Sequence, residues 1–191
     1  MAGRQAKILT DTQTALLLSF LNTRRHPLRN RVIALLSFKA GLRAAEIAKL
    51  DWSMVLEPGG SVGTTIELQD RVAKKRHGRT IPLHPELRAA LEAWKRVCGG
   101  VGPVVRSERG GRMNSVSICN FFKSAYQAVG LEGCSSHSGR RTFITKAARA
   151  VHRAGGSLRD VQVLAGHSSI QTTERYIDYD TDAQRRLVQL I

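Results

Sequence analysis

Apolar residues recur at helical spacing along most of this chain, and the pattern changes to alternation in one place, between Thr64 and Leu83. That change constrains the fold more than any other feature. It confines extended structure to two short strands, 64–68 and 79–83, joined by a basic segment around His77 and Gly78. The rest reads as helices with recognisable starts and stops. Thr10 and Asp11 cap a helix carrying Leu16, Leu17, Leu18 and Leu21, which ends before Arg24, Arg25 and His26. Pro27 opens the next, through Val32 and Leu36 to a stop at Gly41, and a short third helix turns Ile47 and Leu50 inward. Beyond the strands, helices are predicted from Pro85 to Gly99, over 116–129, over 139–152, over 157–165 and over 182–190, with a glycine-rich loop at 106–112. The pattern predicts a mainly helical α+β domain with a small antiparallel β-sheet.

At 191 residues and 42% hydrophobic content the chain suffices for one domain with its own core, and the apolar content argues against disorder. No apolar run approaches the length of a membrane span, and Arg4, Gln5 and Lys7 interrupt what would be the core of a secretory signal. Cys98, Cys119 and Cys134 are odd in number and lack C-x-x-C spacing, which disfavours a disulfide framework or a zinc site and points to a reducing compartment. The net charge of +15 directs attention to polyanionic partners, of which nucleic acid is the commonest.

The charge is clustered. Five of the nine residues from Arg71 to Arg79 are Lys or Arg, and residues 137–153 carry Arg140, Arg141, Lys146, Arg149 and Arg153 without one acid. Three stretches exceed what packing requires. In the first, Ala40-Gly41-Leu42-Arg43-Ala44-Ala45-Glu46-Ile47, a helix stop is followed at once by a helix with an arginine at its start. In the second, His137-Ser138-Gly139-Arg140, the spacing places an imidazole and a guanidinium on one helix face. The third runs from Leu164 through His167 to Tyr176, with a helical turn between the histidine and the tyrosine. Singly each is weak: a lone arginine is usually a solvated charge, and a tyrosine near a helix end is usually a half-buried packing residue.

Together and in this order, across residues 10–180, they resemble the tyrosine recombinases, the phage integrases and their relatives. The resemblance implies that family's catalytic-domain fold and site-specific cutting and rejoining of DNA through a 3′-phosphotyrosyl intermediate, without metal, cofactor or ATP. It assigns Arg43 to the first motif, Lys74 to the hairpin lysine eight residues before Pro82, His137 and Arg140 to the H-x-x-R motif, His167 to the second histidine and Tyr176 to the nucleophile. Lys75 and Arg76 adjoin Lys74 and compete with it for the role of acid; with Arg79 and Arg141 they are expected to contact DNA. These residue types suit the chemistry on physical grounds. A phenol attacking phosphorus makes an ester similar in energy to the one broken, so the step reverses without ATP. Two guanidiniums can clamp a phosphate, lysine can protonate a leaving alkoxide, and histidines can pass protons or hydrogen-bond the phosphate. The acids are scattered rather than grouped beside the basic motifs, so metal-assisted cleavage is not expected.

The sequence departs from the family's pattern at Gly139 and Arg141, where many members carry leucine and histidine; the expected result is an intact catalytic pair in looser packing. The catalytic pattern begins near residue 10, so residues 1–191 read as a single catalytic domain without the family's N-terminal core-binding domain: a small stand-alone recombinase, a fragment or a remnant. Leu187, Val188, Leu190 and Ile191 form an apolar stripe on the tail, 181–191, that packs in cis or docks in trans. Double-stranded DNA is the expected partner, with self-assembly into a tetrameric synapse implied by the family, no membrane, and a cytoplasmic, nucleoid-associated setting in a bacterial or phage context. The alternatives are a non-catalytic DNA-binding or accessory protein on the same fold, and a type IB-like topoisomerase.

Overall fold

The computed structural model describes residues 6–73, 78–176 and 188–189. Lys74, Lys75, Arg76 and nearly all of the predicted tail helix lie outside the described residues. The order is α1 (Asp11–Asn22), α2 (Pro27–Lys39), α3 (Ala44–Lys49), β1 (Thr65–Leu68), β2 (Arg79–Pro82), α4 (Pro85–Cys98), α5 (Ser115–Ala128), α6 (Ser138–Ala150), α7 (Leu158–Ala165) and α8 (Ile170–Glu174), with short 3-10 turns at Trp52–Met54 and Val151–Ala154. The fold is the mainly helical α+β arrangement expected. Among the described residues, no helix is long and apolar enough to cross a membrane.

Local chemistry sets the boundaries. Thr10 and Gln13 form a reciprocal capping box at the start of α1: the Gln13 N–H donates to Thr10 Oγ1 at 3.2 Å and the Thr10 N–H to Gln13 Oε1 at 3.0 Å. Pro27 and Pro85 occupy first-turn positions of α2 and α4, where the missing N–H is no loss. Glycines in the left-handed conformation end α4 at Gly99 and α7 at Gly166. The strands pair antiparallel with Ile66 opposite Ile81, and the alternation buries Ile66, Leu68 and Ile81.

From Val32 to Phe38 helix α2 is buried all round, as suits a helix at the centre of a core. Val32 through Leu36 are inaccessible, and α1, α3, α4 and α6 pack about it. A smaller second cluster joins α6 to α7 through Ile144, Ala148, Val151, Val161 and Ala165, with Phe143, Leu158 and Tyr176 against it. Helix α6 therefore touches α2 on one side and α7 on another.

The contact between α6 and α2 is tight rather than loose. A Cβ on Gly139 would lie 2.4 Å from Ser37 Oγ and 3.2 Å from Phe38 Cδ1. Gly139 thus lets the two helices approach, which overturns the expectation of looser packing at this position. Gly139→Leu should overpack the seam and lower stability by about 1–3 kcal/mol. Urea unfolding of the two proteins measures it, and an unchanged midpoint would contradict the close packing.

Candidate active site

The site begins with a buried carboxylate. Glu46, on the first turn of α3, is 1% exposed and reaches back to accept the backbone N–H of Arg43 at 2.9 Å, fixing the helix start. Its other oxygen accepts Arg43 Nη1 at 2.9 Å. From β2 the Arg79 guanidinium closes on the same carboxylate with Nη1 and Nη2 at 3.1 and 3.0 Å, while its Nε donates to the carbonyl of Leu164 at 2.9 Å. Burial works to raise the Glu46 pKa, but the hydrogen bonds and charges of Arg79 and Arg43 outweigh it, and the net shift is downward. Glu46 is therefore an anion between two cations, and it holds Arg43 by both backbone and side chain.

Arg140 reaches in from the first turn of α6 and is 4% exposed. Nη1 donates to the carbonyl of Gly41 at 2.5 Å; Nη2 donates to the carbonyl of Ala165 at 2.5 Å and lies 3.2 Å from His167 Nε2. Gly41 adopts φ +63°, and a Cβ there would lie 2.4 Å from Phe143 Cδ1, so the glycine lets this carbonyl turn toward Arg140. Burial, then the charge of Arg43, pushes the Arg140 pKa down to about 10, which still leaves it cationic at neutral pH.

His167 follows the Gly166 stop of α7. Its backbone N–H donates to the carbonyl of Gln162 at 3.1 Å, and its own carbonyl accepts the buried Gln162 side chain at 2.9 Å. Burial lowers the His167 pKa to about 4, assisted by the charges of Arg140, Arg43 and Arg79, so the ring is neutral at pH 7. The Tyr176 ring stacks on it with centroids 5.5 Å apart and planes 24° apart. The Tyr176 N–H donates to the carbonyl of Thr173 at 3.0 Å, and Thr145 of α6 donates its hydroxyl to the Tyr176 carbonyl at 3.3 Å.

These residues surround one cavity of about 430 Å³, lined by Arg43, His137, Arg140, Arg141, His167 and Tyr176, with Ala6, Ser135, Thr172 and Arg175 completing it. Five of the six residues named as catalytic from the sequence are thus brought together, the sixth being Lys74. His137 is exposed at the N-cap of α6. Arg141 lies at the cavity with its guanidinium carbon 6.0 Å from the centre of the Tyr176 ring, and its buried Nε has no hydrogen-bond partner among the described residues.

Arg79, expected as a DNA contact, has a side chain that is 4% exposed, and each of its three guanidinium nitrogens donates to Glu46 or Leu164. Three of its five N–H donors are thus committed within the protein, and Arg79 supports the carboxylate that seats Arg43. Glu46, Thr173 and Arg175 were not singled out from the sequence. The Glu46 signal was present in its first-turn position three residues after Arg43, the capping-box spacing.

Fold and site together define a helical domain that gathers guanidinium donors and a neutral imidazole around one phenol, an arrangement suited to holding an oxyanion against a hydroxyl nucleophile. The chain matches the model of the phage integrase family over residues 7–182 and belongs to that family. It is 27% identical over 158 residues to the tyrosine recombinase XerC of Brucella suis biovar 1 (strain 1330), covering 80% of this chain and 47% of the relative. Against XerC of Myxococcus xanthus it is 30% identical over 162 residues, covering 78% and 50%. The chain spans about half the length of the curated relatives it matches. Among solved structures, the Tn1549 transposon integrase in complex with transposon right end DNA superposes with a TM-score of 0.76 at 18% identity, covering 100% of this chain and 67% of the other. XerA recombinase gives 0.73 at 20%, covering 100% and 65%. These likenesses place the fold.

Proposed function

We propose that this chain carries the catalytic unit of a site-specific DNA recombinase. The observation that carries the reading is the single cavity in which Tyr176 lies with Arg43 and Arg140. The Tyr176 oxygen attacks a scissile phosphorus and loses its proton; a 3′-phosphotyrosyl bond forms, the bond to the 5′-oxygen breaks, and that oxygen takes up a proton. Arg43 and Arg140 hold the nonbridging oxygens, where charge develops in the transition state. His137 and His167 hydrogen-bond the phosphate or relay protons, and Lys74 protonates the 5′-oxygen. Attack by a 5′-hydroxyl of a second strand reverses the step and completes the exchange.

Double-stranded DNA is the substrate and partner in this reading. It draws support from the family, from relatives that are tyrosine recombinases, and from fold neighbours bound to DNA, among them a lambda integrase dimer on a COC′ core site and XerH on its difH substrate. The charge of +15 supplies the sequence-independent attraction. Assembly into a tetrameric synapse and action in the cytoplasm on nucleoid DNA belong to the same proposal.

The test is covalent trapping on nicked suicide duplexes from the host genome, followed by digestion and mass spectrometry. The nucleotide is expected on the peptide containing Tyr176. DNA binding with no adduct on any duplex would instead make the chain an accessory DNA-binding protein. Relaxation of supercoiled plasmid without pairing of two sites would move the reading to a type IB-like topoisomerase.

A further inference from the structure

Helix α7 stops at Gly166, so the carbonyls of its last residues have no N–H further along the helix to accept. Three in succession face guanidiniums that arrive from three elements. The carbonyl of Leu164 accepts Arg79 Nε of β2 at 2.9 Å, that of Ala165 accepts Arg140 Nη2 of α6 at 2.5 Å, and that of Gly166 accepts Arg43 Nη2 from the start of α3 at 3.5 Å. The placement suits the cations, because a helix C-terminus is the negative end of its dipole. It also gathers like charges. Burial, then the charge of Arg43 and, more weakly, that of Arg79 press the Arg140 pKa down, and one carboxylate, Glu46, opposes them.

Arg43 and Arg140 line the cavity and Arg79 does not. Its side chain is buried, and its donors divide between two supports: both terminal nitrogens go to Glu46, at 3.1 and 3.0 Å, and Nε goes to Leu164. Those are also the supports of Arg43, which rests on Glu46 at one nitrogen and on Gly166, two residues beyond Leu164, at the other. The end of α7 makes room for this. A Cβ on Gly166 would lie 2.8 Å from Arg79 Nη1 and 3.1 Å from its Cζ, so the glycine that ends the helix also lets the guanidinium lie against it.

We propose that Arg79 is a positioning residue: its planar fork joins the start of α3 to the end of α7, through Glu46 and the Leu164 carbonyl, and so holds Arg43 and Arg140 at a fixed separation around the cavity. The functional half of this statement rests on the reading of that cavity as the DNA-cleavage site; the tie between the two helices does not. Lysine in this position keeps the charge but has one nitrogen, which cannot serve Glu46 and Leu164 with the geometry of the fork. Arg43 then keeps its local contact with Glu46, but Glu46 and α7 are free to separate, and a phosphate meets a displaced donor.

The experiment uses the full chain. Without DNA, arginine side-chain 1H–15N spectra, assigned by comparison with Arg79→Lys and Arg43→Lys, are expected to show an Arg79 Nε–H protected from exchange and an Arg43 guanidinium with restricted rotation. In Arg79→Lys that restriction of Arg43 is expected to be lost. Single-turnover trapping on nicked duplexes at saturating protein should fall about 10–100-fold in this variant, the usual cost of misplacing a group that meets the substrate. The Kd for DNA and its salt dependence should stay near wild type. A rapidly exchanging Arg79 Nε–H in wild type overturns the proposal, and so does an unchanged Arg43 signal or a wild-type trapping rate in a folded Arg79→Lys. Weaker binding with a salt slope reduced by about one would make Arg79 a phosphate contact and overturn it too. If Arg79→Lys does not fold, the double variant Arg79→Met with Glu46→Leu replaces the buried pair by apolar side chains, a change such pairs tolerate. The same loss of trapping there supports the proposal, and a wild-type rate overturns it. If the spectra behave as expected but wild type forms no adduct, the recombinase reading fails and the tie between the helices stands.

Discussion

Glu46→Gln is expected to lower the stability of the protein by about 3–5 kcal/mol, the usual effect of removing one partner from a buried ion pair. Glu46 is 1% exposed and Arg79 4% exposed, so neither solvent nor salt screens the Arg79 guanidinium once the carboxylate is gone. Glutamine keeps the shape but offers one oxygen and an NH2 group, and that group points donors at Arg43 or Arg79. A loss of this size is a large share of the stability of an ordinary domain, so urea unfolding is best followed at low temperature. The pH dependence separates charge from packing. Because the folded pKa of Glu46 lies below its ordinary value of 4.5, its contribution is fully present above that value and disappears as the pH falls through the lowered one. The difference between wild type and Glu46→Gln should therefore be full at pH 7 and narrow in acid. An equal difference at both ends would mean that the carboxylate acts through shape alone.

What could be read from the sequence, and what could not, divides by distance along the chain. Helix starts at Thr10, Pro27 and Pro85 and the stop at Gly99 are local events, set by a side chain or a backbone conformation within a few residues, so they were legible. The strands were legible because burial of one face imposes a period of two, seen in Ile66, Leu68 and Ile81. The partner of Arg79 was hidden for the converse reason. Arg79 lies in a basic run, and nothing near it in sequence announces that its partner is Glu46 on α3. Gly139 was misread likewise: a missing side chain suggests slack until Ser37, on another helix, is found in the space. Of the site, the motifs brought Arg43, His137, Arg140, His167 and Tyr176 to one cavity. The group that seats Arg43, Glu46, is a polar residue of ordinary appearance whose role depends on burial, which only the folded chain reveals.

The same distinction between seating and contact governs the second large effect, at Arg140. Arg140→Lys should slow covalent trapping on nicked duplexes by about 10²–10³-fold while DNA affinity changes by only a few-fold, the rate loss being that of removing one preorganised oxyanion donor. Arg140 spans two backbone carbonyls, Gly41 and Ala165, and meets His167 as well, a geometry that needs a planar fork. An ammonium is a single point; if it satisfies one of these buried carbonyls it leaves the other without a partner. Charge acts in the same direction. Burial and the nearby Arg43 lower the Arg140 pKa to about 10, a shift a guanidinium absorbs without losing its proton. A lysine in the same surroundings starts lower and is pushed further toward neutrality. Affinity is spared because attachment is shared among many of the 30 Lys and Arg residues, whereas transition-state charge develops at one phosphate. Single-turnover trapping at saturating protein, with binding measured separately, resolves the two. A cleavage rate within about 3-fold of wild type would show that Arg140 holds the fold together without acting on the phosphate.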